Sequence, residues 1–371
     1  MAITVSQSAS APDRVVSRES GLEIFRILMM VLVIGHHMIT HGGDYWSVDM
    51  PSWHSVVRDA MLMGGKVGVG GYVLISGYFL CTSQTFHWIK VVRLIVQTST
   101  VSIVTAVVFL LAFPETRTPR TFVEAAFPLL TLVWWFATVY IGLYLVSPFL
   151  NTLIRQMSRR DHRRLVVIGL VLCSVLPTVV NNNIFTNNLL WFVFLYFLAA
   201  YVRLYPGRVW DHAWVWAAVA VVSYLAPVGL VEYLSINPLP EYWGTIFHVS
   251  LMDYNSLFTL GASFGAFLVF LRWKIGSYPV VNLIASTTFG IYLIHEHPLM
   301  RTYIWSRLAP AEHFGEGSQF FWYAPLCVAT VFLACMVLDL ARQWLIEKPI
   351  FALVARVSRD RASREPAERG V

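Results

Sequence analysis

The apolar run LEIFRILMMVLVIGHHMITHGG carries Glu23, Arg26, His36, His37 and His41. Ionisable groups inside a membrane-spanning helix are costly, so each one is a candidate for function. As a helix, the run places Arg26 and His37 about 20° apart on the wheel and about 16 Å apart in rise. Glu23 lies about 40° from His37, whereas His36 turns about 80° away from Arg26. A neutral imidazole at depth can take a proton from a hydroxyl, and a guanidinium near the helix end can meet an anionic substrate. That makes His37 a candidate base, with Arg26 and Glu23 on the same face. The structural alternative has Arg26 snorkelling to lipid phosphate and the histidines bridging helices. His37 and His41 also have the i,i+4 spacing of metal ligands, but the sequence places no carboxylate beside them, and no metal is expected.

Other segments add candidates. Gly68, Gly70 and Gly71 in VGVGGYVLISGYFL allow close helix approach, and the run ends near Ser76 and Gly77. It lacks the GxxxxGK pattern of a nucleotide loop. In HWIKVVRLIV, Lys90 and Arg93 are i,i+3 neighbours that suit a diphosphate or 3′-phosphate; an anchor to anionic lipid is the alternative. Trp134 and Trp135 read as an interfacial belt or as site lining. FGIYLIHEHP carries Tyr292, His295, Glu296 and His297; His295 is favoured as functional, while Glu296 and His297 suit a surface loop equally well. Glu347 in RQWLIEKPI either pairs with a base or ends its helix before Pro349.

These residues need helices in a bilayer. Of 371 residues, 57% are hydrophobic and 13% charged, against roughly 25% charged in soluble proteins. Apolar segments at 21–40, 66–82, 92–113, 133–150, 164–180, 188–203, 212–231, 254–271, 279–298 and 322–345 predict an all-α polytopic membrane bundle of about ten transmembrane helices. The stretch 121–132, with Glu124 and Pro128, reads as interfacial or re-entrant. Residues 1–20 form a polar segment without the apolar core of a signal peptide, 21–350 the membrane domain, and 351–371 a charged tail. The net charge of +6 does not imply nucleic acid, because the basic residues gather at the ends of apolar segments. Cys81, Cys173, Cys327 and Cys335 form no CxxC pair and read as buried thiols.

In order along the chain, these motifs resemble those of the membrane acyltransferase-3 family, in its stand-alone sugar O-acetyltransferase form. That family has a basic residue, ten intervening residues and a His in its first helix, as in Arg26 and His37, with an acidic residue three positions earlier, as in Glu23. It also has a glycine-rich second helix ending in an SG pair, a basic-x-x-Arg pair, a Trp-Phe segment before a Tyr-Leu-x-x-Pro helix, a late Tyr-Leu-x-His, and a terminal Glu-x-Pro. Here Lys90 opens the basic pair, giving a point charge instead of a planar fork. The resemblance implies a catalytic base at His37, an essential Arg26, and acyl-CoA, most simply acetyl-CoA, held by Lys90 and Arg93. His36, Ser76, Trp135, Tyr292 and His295 would line the site. The acceptor would be a glycan or lipid-linked sugar of the cell envelope, or an exopolysaccharide. The chain ends before the extra helix and periplasmic domain of some members, so the stand-alone form is expected. A transporter or flippase of a lipid-linked sugar is the rival reading; it has no need of a titrating base paired with Arg26. The sugar and its hydroxyl, the acyl length, direct transfer or an acyl-enzyme route, and the oligomeric state stay open.

Basic residues set the expected orientation in the plasma membrane. One set of loops holds Lys90 and Arg93, then Arg155, Arg159, Arg160, Arg163 and Arg164, then Arg203, Arg208, Arg272 and Lys274, with seven more from Arg342 onward. The opposite set holds Arg58, Lys66, Arg117, Arg120, Arg301 and Arg307, and loops 181–187 and 232–253 hold none. Both termini are therefore expected in the cytoplasm. Reporter fusions should place both termini and Arg160 inside and Glu241 outside; an external C-terminus would refute this arrangement.

Overall fold

The computed structural model describes residues 19–43, 49–181, 183–240, 250–309 and 320–352. The N-terminal segment up to residue 18, the tail from residue 353 and Glu241 lie outside them. The described residues form helices and turns with no strand. The helices are α1 (Ser20–His41), α2 (Trp53–Leu80), α3 (Trp88–Ala112), α4 (Pro119–Ala126), α5 (Trp135–Gln156), α6 (Arg159–Leu170), α7 (Leu176–Val180), α8 (Asn188–Leu204), α9 (Ala213–Ile236), α10 (Leu257–Arg272), α11 (Pro279–His295), α12 (Pro298–Leu308) and α13 (Phe320–Arg342). A π turn, Val171–Val175, joins α6 to α7, and another, Gln343–Glu347, follows α13. Among the described residues seven helices are long and apolar enough to cross a membrane. The expected ten segments thus resolve into these seven and three shorter apolar helices, α8, α10 and α11, of 17, 16 and 17 residues.

Helix α1 is the centre of the bundle. Without a hydrophobic driving force between helices in lipid, close packing decides which faces meet, and glycines let backbones approach. A Cβ on Gly68 would stand 2.8 Å from the Met29 carbonyl oxygen and from Val33 Cγ2, so α2 lies directly on α1. On another face of α2, a Cβ on Gly77 would stand 2.9 Å from Tyr196 Cα of α8. One core joins Phe25 and Met29 of α1 to α2, α8, α9 and α10; a second joins Ile34 and Met38 of α1 to α11 and α13.

The register of α1 against α11 is fixed at one end by hydrogen bonds. Ser20 N donates to the Gly276 carbonyl (2.8 Å), Tyr278 N donates to Ser20 Oγ (2.7 Å), and Ser20 Oγ donates to Asn282 Oδ1 (3.1 Å). Gly276 has φ +79°, a conformation open to glycine at little cost, and it turns the chain into α11. These bonds set α1 and α11 side by side, so that His37 and His295 meet further along.

Four sequence expectations are corrected. Helix α2 starts at Trp53 and not near residue 66, capped by reciprocal bonds between Ser52 and Ser55. Arg58, Asp59 and Lys66 depress the local hydropathy, yet Arg58 Nε pairs with Asp59 Oδ1 at 2.7 Å and Lys66 Nζ lies 3.7 Å from Asp253. Arg58 and Lys66 are therefore helical residues and not loop residues. Trp134 is no belt residue: it is fully buried and its Nε1 donates to the Leu293 carbonyl at 3.1 Å. Pro349 does not end the last helix, which continues to residue 352. The wide π turn before it, with Lys348 N bonded to the Gln343 carbonyl, relaxes the backbone crowding that a proline imposes on the preceding turn. All four cysteines are free and buried, as expected.

If the Gly68 contact sets the spacing of α1 and α2, Gly68→Val should lower the thermal midpoint of the detergent-purified protein by several degrees, because overpacking costs about 1–3 kcal/mol. Gly207→Ala, with nothing within 4 Å of a Cβ, is the control. Equal midpoints for the two variants would remove this contact from the account.

Candidate active site

A cavity of about 570 Å³ runs beside α1. Its lining includes Arg26, Met30, Val33, His36 and His37 of α1, a face that covers about 16 Å of rise. The two ends carry charge, and the rest of the lining mixes apolar side chains with uncharged polar ones such as Tyr72, Ser76, Gln97 and Thr288. Arg26, Arg93, Arg342, Gln343 and Glu347 stand at one end; His36, His37 and Lys66 stand at the other. Met30, Val33, Val69, Phe136 and Phe289 lie between them.

At the histidine end, hydrogen bonds fix the tautomers. His295 Nδ1 lies 2.6 Å from the Ile291 carbonyl, which can only accept, so Nδ1 carries the proton and Nε2 accepts. His37 Nδ1 lies 2.9 Å from that Nε2 and must be the donor. His37 Nε2 is left with a lone pair and makes no hydrogen bond among the described residues, while its ring lines the cavity. Glu296 Oε2 lies 3.3 Å from His37 Nδ1, where a carboxylate favours an imidazolium. This is the arrangement a general base needs: one nitrogen oriented from behind, the other facing substrate.

Glu296 is itself held from three sides. Its Oε1 accepts from Arg301 Nη1 at 2.9 Å and lies 3.3 Å from His41 Nε2. His297 Nδ1 accepts from Leu299 N at 3.3 Å and caps α12.

The fold brings together most of the residues singled out in the sequence. Glu23 accepts from Arg26 Nη1 through both oxygens, at 3.0 and 2.9 Å, leaving Arg26 Nε and Nη2 without hydrogen-bond partners among the described residues. His37 and Arg26 share the cavity, as the helix wheel requires. His36 also lines it, but its Nδ1 is 2.6 Å from the Leu62 carbonyl and its ring packs on Gly65, so it bridges α1 and α2. Ser76, Trp135 and Tyr292 line the cavity; Ser76 Oγ donates to the Tyr72 carbonyl at 2.9 Å, and the Tyr292 hydroxyl is buried without a hydrogen-bond partner. Arg93 lines it too, with Nε 3.6 Å from Glu347 Oε1. Lys90 does not: it is exposed and outside the lining.

Sequence reasoning missed Glu296 as a site residue, and Lys66 and Arg342 altogether. A surface loop is the wrong reading of Glu296, which is 9% exposed. Its signal was Pro298, a residue that favours the first turn of a helix and so marks a tight helix-to-helix corner. The carboxylate absent from the sequence neighbourhood of His37 and His41 is supplied by this corner, and ligand atoms of His37, His41 and Glu296 lie within 4.8 Å of one another. These are zinc-type donors. However, the Arg301 guanidinium already sits 2.9 Å from the carboxylate and opposes a second cation there, so an ion-pair network fits the group better than a metal.

A family model described as "Acyltransferase domain" matches residues 19–340, which include every residue of the His37 network. No curated protein and no solved structure matches the chain. The length of the match, together with a bundle of apolar helices around a buried histidine, shows that this chain belongs to the membrane acyltransferase-3 family.

Proposed function

We propose that the chain transfers an acetyl group from acetyl-CoA to a hydroxyl of a cell-envelope or exopolysaccharide sugar, in the plasma membrane with both termini cytoplasmic. The observation that carries this reading is the fixed tautomer of His37, whose Nδ1 is bound by His295 and Glu296 while Nε2 is left to the cavity that Arg26 also lines. The donor's anionic end is assigned to the end with Arg26 and Arg93, with Lys90 attracting it from outside the cavity. Its thioester reaches His37 along the uncharged middle. The sugar hydroxyl gives its proton to His37 Nε2 as its oxygen attacks the thioester carbonyl. The carbonyl oxygen gains charge, and the hydroxyl of Tyr292, which lines the cavity, is assigned as the donor that meets it. As the C–S bond breaks, the imidazolium returns the proton to the leaving thiolate, giving an ester and free CoA. The Glu296 carboxylate stabilises the imidazolium between these two steps.

Transfer from labelled acetyl-CoA, measured in membranes holding equal amounts of each variant, tests the base. His37→Ala should lose about 10²–10⁴-fold, the usual contribution of a positioned acid–base group. His36→Ala should keep a substantial fraction, since its ring bonds a backbone carbonyl. Full activity of His37→Ala would refute the assignment. Mass spectrometry of envelope glycans, with and without the gene, identifies acyl group and acceptor together.

Glu296→Gln tests the carboxylate separately. A carboxylate beside a histidine favours the protonated ring, and its removal makes the ring a weaker base. The variant should therefore have a lower kcat and an acid limb displaced to lower pH. A lower kcat with an unmoved limb would make Glu296 a structural strut only.

A further inference from the structure

Arg342 is the unexplained charge of the cavity. It is 9% exposed, yet it lines the wall at the end away from His37. Its Nε donates to Asp339 Oδ1 at 2.8 Å and its Nη1 to Glu347 Oε2 at 2.9 Å. Its Nη2 is buried with no hydrogen-bond partner. A buried guanidinium donor left unmatched has lost its bond to water and gained none, so the fold keeps it at a loss unless something else bonds it. Glu347 is shared, its Oε1 lying 3.6 Å from Arg93 Nε. Two cations, Arg93 and Arg342, thus face two carboxylates, Asp339 and Glu347. The carboxylates differ in mounting. Asp339 is fully buried in α13, packed over Gly290 of α11, where a Cβ would leave it no room. Glu347 ends the π turn, an irregular segment of the kind often found at functional sites.

We infer that Arg342 is a phosphate-binding residue for the donor and that Glu347 is a built-in anion which holds Arg342 and Arg93 until a donor phosphate displaces it. This rests on the acyl-CoA reading above and assigns it a residue and a regulatory contact. Once Glu347 leaves, Arg93, Arg342 and Asp339 carry a net positive charge, and Nη1 and Nη2 of Arg342 become a planar fork suited to two phosphate oxygens. Asp339, bonded to Nε and to Gln343 Nε2 at 2.7 Å, keeps the fork aimed. Without donor, Glu347 closes the charge balance and denies the site to stray anions.

The test is CoA binding by calorimetry to the purified full-length protein in lipid nanodiscs, with S-acetylpantetheine as the ligand lacking phosphates. Glu347→Gln keeps the shape and removes the competing charge, so it should bind CoA several-fold more tightly than the parent and leave S-acetylpantetheine unchanged. Arg342→Ala should bind CoA about tenfold more weakly, the scale of one charge-assisted bond. CoA affinity of Glu347→Gln equal to or below the parent's overturns the displacement, because Glu347 would then only brace the arginines. An equal response of S-acetylpantetheine overturns the phosphate assignment. Should Arg342→Ala fail to fold, the isosteric Glu347→Gln decides alone. Absence of CoA binding by the parent itself would instead refute the donor assignment on which this inference stands.

Discussion

A charge inside a bilayer has no water to turn to, so its partner must come from the bundle, and in this protein those partnerships connect the helices. Glu23 and Arg26 stay on α1, but the His37 imidazole is bound by His295 and Glu296 at the end of α11, and Arg342 of α13 is bound within reach of Arg93 of α3. Lys66 of α2 is held by Asp253 in the segment before α10. Apolar packing between lipid-solvated helices says little about axial position. The polar contacts set it, and they set it at the depths where the cavity needs its reactive groups.

Two kinds of constraint therefore cooperate along α1. Gly68 lets α2 rest on its backbone, fixing how close the helices lie; the Ser20 bonds and the His37–His295 bond, near opposite ends, fix how α1 registers on α11. The two ties are 17 residues apart on α1, about 25 Å of helix, long enough to resist both sliding and tilting. The tautomer argument depends on this rigidity. His37 Nδ1 stays the protonated nitrogen because His295 Nε2 stays in front of it, and His295 is held by a carbonyl of its own helix.

What was legible in the sequence was what one helix can hold. The wheel of α1 separates His37 from His36, and the structure keeps them apart, one bound to side chains of α11 and the other to the Leu62 carbonyl. His295 was legible through the late Tyr-Leu-x-His motif that it completes. Glu296 was not, because its burial arises from α1, α11 and the start of α12 meeting at one corner. The first turns of α2 were hidden for a related reason. Arg58 and Lys66 read as loop residues until Asp59 and Asp253 are seen beside them. Lys90 and Arg93 looked equivalent in sequence, yet the roll of α3 places only Arg93 in the cavity wall.

The distance between the two polar ends bears on what the cavity can accept. Arg26 and His37 are about 16 Å apart along α1, a span no small anion can bridge to touch both. A ligand that uses the whole cavity needs a charged head, a long uncharged arm and a reactive group at the far end. A coenzyme thioester has that form, whereas an acyl phosphate has its charge and its carbonyl on neighbouring atoms. Binding energy gained at the arginine end is then available to hold the carbonyl against His37, which is where positioning lowers the barrier. The uncharged middle serves the same end on the proposed reading: it offers no opposite charge to an ammonium or carboxylate, which favours a donor seated with its head at the arginines and its carbonyl at the histidine.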